Sequence, residues 1–572
     1  MKLFDTKLIK TAIFVLLFVS VIIVVCRNIN PFGDKMFTFH DETQVARIQD
    51  FTLNLLEGQI PPRISPNFSF GMGYPLFNFY APFSYWITSA INLIGFDVID
   101  SLQISIILAI ITAFIGMHFL MKQYISFYGS LLSSVIYTVS PYIAVEIFVR
   151  GNLAELWFYA LFPWALYVLI TNTKKRLLLS SLIISFLFTS HNVLSLVSVL
   201  IVIVFGLLQK NKKLNIISII CGLLLSTYFL LPALAELNSV YASKVASSTK
   251  YYEHFLCINQ IWTGVWGFAG SAPGCEADGM SFMLGKVNIL LGSAGLISIL
   301  FSLFKKKKFQ TSQDIAFIAL LLCGSIFMIT KDSSFIWQLT ESISSTFQFP
   351  WRLLIFILFG FAFFGGSITK FIPKQWIMIV ICILSIGILY TNFEYFYGNT
   401  LSKLEYKNKY LSNNYIQNEV AYKVAEYLPI TADYNYWRSL EDTPEQINIT
   451  NVVAEKDSLV TITTDLPFKK QFIVQPVHNV ITLHIHYAPY WIIKMDETFI
   501  TPQIKDTSVF DNLGRPIIKT AENSLSHFTI IYKQTVLEQI ANSISLVSLL
   551  ALTLYTVTQF KPVWKKTMTK KH

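Results

Sequence analysis

Hydrophobic residues in this chain fall into long unbroken runs, and most runs approach the length of a membrane-spanning helix, roughly 20 residues. They lie at Leu8–Cys26, Ser101–Met121, Phe127–Tyr142, Ala154–Ile170, Leu214–Leu231, Ile289–Phe304, Trp351–Thr369, Trp376–Tyr390 and Ile540–Thr558. Leu177–Leu208 is too long for one span and reads as a hairpin with its tip at His191 and Asn192. Phe79–Leu93 is apolar and aromatic enough to enter a membrane, yet a crossing there breaks the parity set by the loops, so it reads as interfacial or re-entrant.

Lysine and arginine stay on the cytoplasmic side of short loops, which fixes orientation. The basic clusters are Lys2, Lys7 and Lys10; Lys122; Lys174–Arg176; Lys210, Lys212 and Lys213; Lys305–Lys308; Lys370 and Lys374; and the tail from Lys561 to Lys571. Keeping all of them inside gives about 12 spans with both termini cytoplasmic. The first run is long for a signal-peptide core and no small-x-small site follows it, so it reads as an uncleaved anchor.

The composition agrees: 53% of residues are hydrophobic and only 14% charged, which excludes an ordinary soluble domain. The net charge of +10 is that of basic loops against anionic lipid and does not require nucleic acid. Of the six cysteines, only Cys257 and Cys275 share an outer loop, where a disulfide is feasible, and no zinc spacing occurs.

Five pieces then face outward: 27–100, 145–155, 232–286, 331–352, and a large one from about 391 to 538. The last changes character. Ile481, Leu483, Ile485 and Tyr487 alternate with Thr482, His484 and His486; Val460, Ile462 and Thr464 repeat the period, and Asn512–Pro516 reads as a turn. The expected division is a transmembrane region over 1–390, an extracytoplasmic β-rich domain over 391–538, and a last span with a basic tail over 539–572. His484 and His486 read as the solvent side of a strand, while Tyr487, Tyr490 and Trp491 suit either a sugar-stacking surface or a core.

The candidate chemistry gathers on the outward pieces. His40-Asp41-Glu42 precedes an amphipathic stretch with Val45, Ile48, Phe51 and Leu55 at three-to-four spacing, closed by Gly58 and Pro61 and expected to lie along the membrane surface. Asp41 and Gln44 also have capping-box spacing, so a helix cap competes with a catalytic role for Asp41. Arg150, Asn152 and Glu155 occupy the turn between two spans, where charge is costly and therefore a functional candidate, although Arg150 and Glu155 can simply pair. His191 and Asn192 form a third polar point, structural or substrate-binding. Arg352, after Gln348, is a fourth, either an interfacial anchor or a bidentate phosphate clamp. A carboxylate, a second acid and two arginines at one surface suit sugar transfer from a polyprenyl phosphate. Asp41 takes the acceptor proton, with Glu42 second in line; Glu155 supports it; His40, Arg150, Asn152, His191, Asn192 and Arg352 bind substrate. Phosphate leaves readily, so one base acting in line implies inversion at the anomeric carbon. No metal or other cofactor is expected, because three carboxylates without fixed spacing are a poor ligand set.

His40-Asp41-Glu42 with its following helix, Arg150-Gly151-Asn152-Leu153-Ala154-Glu155 and Phe349-Pro350-Trp351-Arg352 together resemble the GT-C glycosyltransferase superfamily. Within it the chain is similar to YfhO-like proteins and to the bacterial membrane group labelled pyruvoyl-tetrahydropterin synthase-related. The resemblance implies a GT-C-like helical bundle in the bacterial inner membrane, a polyprenyl-phosphate monosaccharide donor, and an envelope glycan, lipid or protein as acceptor. It also implies that the acidic residue of the first outer loop, Asp41 or, less favoured, Glu42, is the catalytic base, and that the acidic residue of the second outer loop is Glu155. Tyr487–Asp496 departs from the YfhO-like pattern, with Ala488-Pro489-Tyr490-Trp491 where Pro-Gly-Trp is usual. Two rivals share the span count. A lipid-linked glycan polymerase, ligase or flippase is disfavoured by the lack of ionisable residues midway along the spans and by the prominence of Asp41. A non-catalytic envelope scaffold predicts that Asp41 is dispensable.

Overall fold

The computed structural model of the chain describes residues 6–248, 250–304, 312–442, 452–453, 459–476, 479–504, 506–521 and 524–559. The basic residues Lys2, Lys305–Lys308 and Lys561–Lys571 lie outside the described residues. What is described is mostly helical. Seven helices are long and apolar enough to cross a membrane: Lys7–Val25, Val98–Met121, Leu153–Ile170, Lys212–Ala235, Pro350–Phe371, Ile377–Tyr395 and Val536–Gln559. Two bent pairs, Phe127–Thr138 with Pro141–Arg150 and Ser312–Met328 with Lys331–Leu339, raise the number to nine. Asn192–Leu208 and Lys286–Ser302 are apolar but shorter. Leu177–Phe188, with 12 residues, is shorter again at about 18 Å, against a hydrocarbon core of about 30 Å.

The order of apolar helices therefore follows the sequence reading, while the expected number of crossings exceeds the number of helices long enough to make them. The helix Ser312–Met328 fills the crossing that the charge rule demands between Lys308 and Lys331. The Leu177–Leu208 run is broken at residues 189–191, as expected of a hairpin. Phe83–Leu93 is an 11-residue helix of about 16 Å, too short to span.

The five pieces expected outside meet at one end of the bundle. Lys35–Phe37 pairs antiparallel with Thr400–Ser402, joining the first piece to the last. His40 reaches the Phe268 carbonyl of the third piece at 2.5 Å, and Leu256 N–H of that piece donates to the Ile329 carbonyl at 2.8 Å, beside the fourth. The helix Gln44–Leu56 forms where its three-to-four pattern predicts, with Val45, Ile48 and Phe51 fully buried. Its polar face is covered as well: Gln44, Arg47, Asp50 and Asn54 are buried. The helix thus does not lie on the membrane surface with a wet side, as the sequence suggested. Loop 63–67 wraps over it, fixed by the Asn54 amide on the Ile64 carbonyl (2.8 Å) and by Ser65 and Asn67 on Asp50.

The last piece is not β throughout. Residues 403–442 carry short helices, Lys403–Tyr410 starting from a reciprocal Ser402/Glu405 capping box. The sheet begins at Leu459 and has five strands in the order 459–466, 469–475, 526–532, 491–495, 498–500. Its core holds Phe472, Ile493, Phe528 and Ile530. Only Val480–Thr482 of the alternating run is a paired strand. His484 and His486 are 3% and 0% exposed, which corrects their reading as a solvent-facing pair. The chain there is sandwiched between the sheet core and loop 70–74, so both sides of the period-two run are covered; His484 Nε2 donates to the Phe70 carbonyl at 2.9 Å.

Candidate functional site

The site begins with a backbone pairing. His40 N–H donates to the Val149 carbonyl at 2.8 Å and Asp41 N–H to the Arg150 carbonyl at 3.0 Å. These two bonds set the first loop beside the turn that carries Arg150 and Glu155, more than a hundred residues away in sequence. Gly151 makes the approach possible: its φ is +66°, and a Cβ there would meet the Phe39 ring at 2.1 Å.

Asp41 does not cap the helix. The residue at the cap position is Thr43, which makes no side-chain cap bond. The Asp41 carboxylate instead accepts from Thr43 Oγ1 (2.8 Å) and Gln44 Nε2 (2.6 Å) and pairs with Arg47 at 3.4 Å. Its side chain keeps 26% of its surface exposed, so the carboxylate is oriented by three donors and still open. Arg47 lies 4.8 Å over the Tyr80 ring, and Tyr85 Oη donates to Gln44 Oε1 at 2.9 Å, which locks the amide that holds Asp41. Burial, reinforced by Asp41, holds the Tyr80 phenol above its usual range, so it stays a neutral donor.

Beside this loop, residues Glu146–Arg150 form a π-helical turn, a widened form often found at functional sites. The turn brings Arg150 between two carboxylates, Glu146 and Glu155, the latter at 2.8 Å. Glu155 is fully buried and also accepts from Tyr142 Oη (2.9 Å) and Asn152 Nδ2 (3.2 Å). Asn152 Oδ1 caps the Leu153–Ile170 helix through the Glu155 N–H. The Arg150 guanidinium lies 4.5 Å over the Trp351 ring. His191 Nδ1 accepts from Val193 and Leu194 N–H, both at 3.2 Å, which assigns the ring proton to Nε2, the atom 3.9 Å from Glu155.

Of the residues singled out by sequence, Asp41, Arg150, Asn152, Glu155 and His191 therefore come together. Arg352 joins them electrostatically, feeling Glu155 and Arg150; it donates to the Phe347 carbonyl at 2.8 Å and keeps a buried Nε without a partner. Glu42 turns away to an ion pair with Lys423. Asn192 clamps backbone, accepting from Ala81 N–H at 2.7 Å and donating to the Phe79 carbonyl at 2.6 Å. Asp41, Glu42 and Glu155 thus point to different partners, and among the described residues no three His, Cys, Asp or Glu side chains gather as a metal set. Cys257 and Cys275 are joined in a disulfide, stapling the loop whose Phe268 carbonyl meets His40.

Sequence reasoning did not single out Glu146, Arg47 or Glu426. Glu146 and Arg150 stand at i and i+4, a readable signal. Arg47 follows Asp41 by less than two turns. Glu426 has no such signal: it arrives from the far piece into the field of Arg47 and Asp41, and burial raises its carboxyl above the usual range.

Structural comparison finds the arabinofuranosyltransferase AftD from Mycobacteria, in two structures at 13% and 12% identity with TM-scores of 0.43 and 0.40, each covering 67% of this chain and about a quarter of that one. It also finds ArnT from Cupriavidus metallidurans bound to undecaprenyl phosphate, at 10% identity and a TM-score of 0.38, covering 65% of this chain and 63% of that one. Likenesses this distant carry no argument about activity. No curated protein matches the chain in sequence. Residues 77–258, the stretch that carries Glu146, Arg150, Glu155 and His191, match the family described as "6-pyruvoyl-tetrahydropterin synthase related domain; membrane protein".

Proposed function

We propose that the chain is a GT-C-type membrane glycosyltransferase acting at the extracytoplasmic face of the bacterial inner membrane. It moves a monosaccharide from a polyprenyl phosphate to an envelope glycan, lipid or protein. The observation that carries this reading is the pairing of residues 40–41 with 149–150, which sets an oriented, open carboxylate against a buried cluster of two acids, an arginine and a histidine. A scaffold has no use for such an arrangement, since each buried charge is costly.

In the proposed reaction the acceptor hydroxyl gives its proton to Asp41 as its oxygen bonds to the anomeric carbon. The bond from that carbon to the phosphate oxygen breaks, the phosphate leaves with the electron pair, and the configuration inverts. Arg352, whose Nε is uncommitted, meets the phosphate. Arg150 is already held by Glu146 and Glu155, so it is a positioning residue, ordering the turn against which Asp41 is set. His40 and His191 are assigned to contact the sugar; Glu42 and Asn192 hold the surrounding loops.

The test is extraction of polyprenyl-linked sugars and envelope glycans from cells with and without the gene. The reading expects a single lipid-linked monosaccharide to accumulate on deletion while one sugar disappears from a glycan. Unchanged lipid-linked sugars together with unchanged glycans would end it.

A further inference from the structure

Loop 66–73, Gln417 and the sheet region line a pocket of about 240 Å³. Asp50, on the Gln44–Leu56 helix, anchors one wall through Asn67, which lines the pocket. It is fully buried and accepts from Ser65 Oγ, from Asn67 N–H at 3.1 Å and from Asn67 Nδ2 at 2.6 Å. Asn67 is thus held through its backbone N–H and its Nδ2. His484 forms the floor. Its Nε2 is committed to the Phe70 carbonyl, which leaves Nδ1 as a buried lone pair without a partner. Burial lowers its pKa to about 4, so the ring is a neutral acceptor near pH 7. Trp491, 4% exposed, contributes an indole N–H that also has no partner. Gly73, with φ +85°, packs against the same indole ring; a Cβ there would stand 3.4 Å from it. Gln417 adds an amide, and the Asp465–Lys470 pair at 2.9 Å contributes no net charge.

A buried donor and a buried acceptor left open in one small pocket call for a partner that supplies both. An anion is a poor fit, because Lys470, the cation among the lining residues, is already paired with Asp465. Each hydroxyl of a sugar donates and accepts, and the pyranose ring presents an apolar face to an indole. We propose that this pocket binds one neutral sugar residue. Its role as an acceptor subsite rests on the transfer reading above, whereas the binding itself does not. The helix supplies the link, because Gln44, which holds Asp41, and Asp50, which holds the pocket wall, are six residues and about 9 Å apart along one axis.

The experiment is saturation-transfer NMR on the full chain in detergent with a panel of neutral mono- and disaccharides, with inorganic phosphate as competitor. The expected result is saturable binding of at least one sugar, unaffected by phosphate and weakened at least tenfold in Trp491→Phe, which keeps an aromatic ring and removes the N–H. Gln417→Trp, which fills the pocket from its edge without touching the core, should abolish binding with an unchanged elution profile; Asp41→Asn should leave it unchanged. Absence of sugar binding, binding that survives Gln417→Trp, or displacement by phosphate overturns the proposal. A glycan defect on deletion alongside any of these results would sink the pocket alone and leave the transfer reading standing.

Discussion

Replacing Arg150 with methionine removes the one cation that, among the described residues, is ion-paired with both of two carboxylates that are 1% and 0% exposed. The two acids are not equally provided for. Glu155 keeps Tyr142 and Asn152 as donors, while Glu146 loses its ion-pair partner and already has a buried Oε2 without one. Breaking a buried pair from one side costs about 3–5 kcal/mol, because the remaining charge stays desolvated. Most of that cost should sit on Glu146, so Glu146→Gln in the Arg150→Met background should recover more than half of it, and Glu155→Gln clearly less. The assay is heat treatment of detergent-solubilised protein followed by size-exclusion detection of the folded peak. Arg150→Met should lower the apparent midpoint by roughly 5–10 °C, by scaling the few degrees per kcal/mol of smaller domains. A midpoint within about 2 °C of wild type would refute the reasoning, as would equal rescue by the two glutamines.

Three further outcomes follow from the same contacts. Gly151→Ala forces a Cβ into the Phe39 ring and should displace residues 39–41, abolishing envelope glycan transfer while the protein still reaches the membrane; normal glycans would show that the pairing is dispensable. Burial raises the Asp50 pKa to about 6, above its unfolded value, so its contribution to stability is greatest below pH 4 and is lost as pH rises to 6. Asp50→Asn should flatten that fall, worth about 3 kcal/mol at most, in melting midpoints taken from pH 4 to 7. Arg63 donates to Asn78 at 3.0 Å and to Asn542 at 2.8 Å, tying the last helix to the first loop, so Arg63→Ala should expose the 534–542 segment to limited proteolysis at low protease.

The bundle was legible because membrane runs and lysine positions are local properties. The charge rule even required a helix near Ser312–Met328 that the apolar runs alone did not reveal, since Asp314 and Gln313 dilute its start. The burial of the 44–56 helix was not legible. A helix with Val45, Ile48 and Phe51 on one face looks half-wet until loop 63–67 and its bonds to Asp50 cover the other. His484 and His486 were misread for the same reason: alternation marks one buried face and says nothing of what covers the second. At the site, Arg150 and Glu155 were readable as neighbours in sequence, and Asp41 beside Glu42 as the acids of the first loop. Their adjacency depends on two backbone hydrogen bonds between distant loops, which leave no trace in local pattern.

The central claim is that Asp41 is a base rather than a brace, and one substitution separates the two. Asp41→Asn keeps one oxygen to accept from Gln44 Nε2, while its amide NH2 can donate to the Thr43 hydroxyl, so the loop should keep its shape and the protein its abundance in the membrane. The measurement is the envelope glycan profile of cells carrying Asp41→Asn, beside wild type and the deletion, with membrane abundance determined in parallel. The account predicts normal abundance with the same missing sugar as the deletion; normal glycans in Asp41→Asn where the deletion is defective would contradict it.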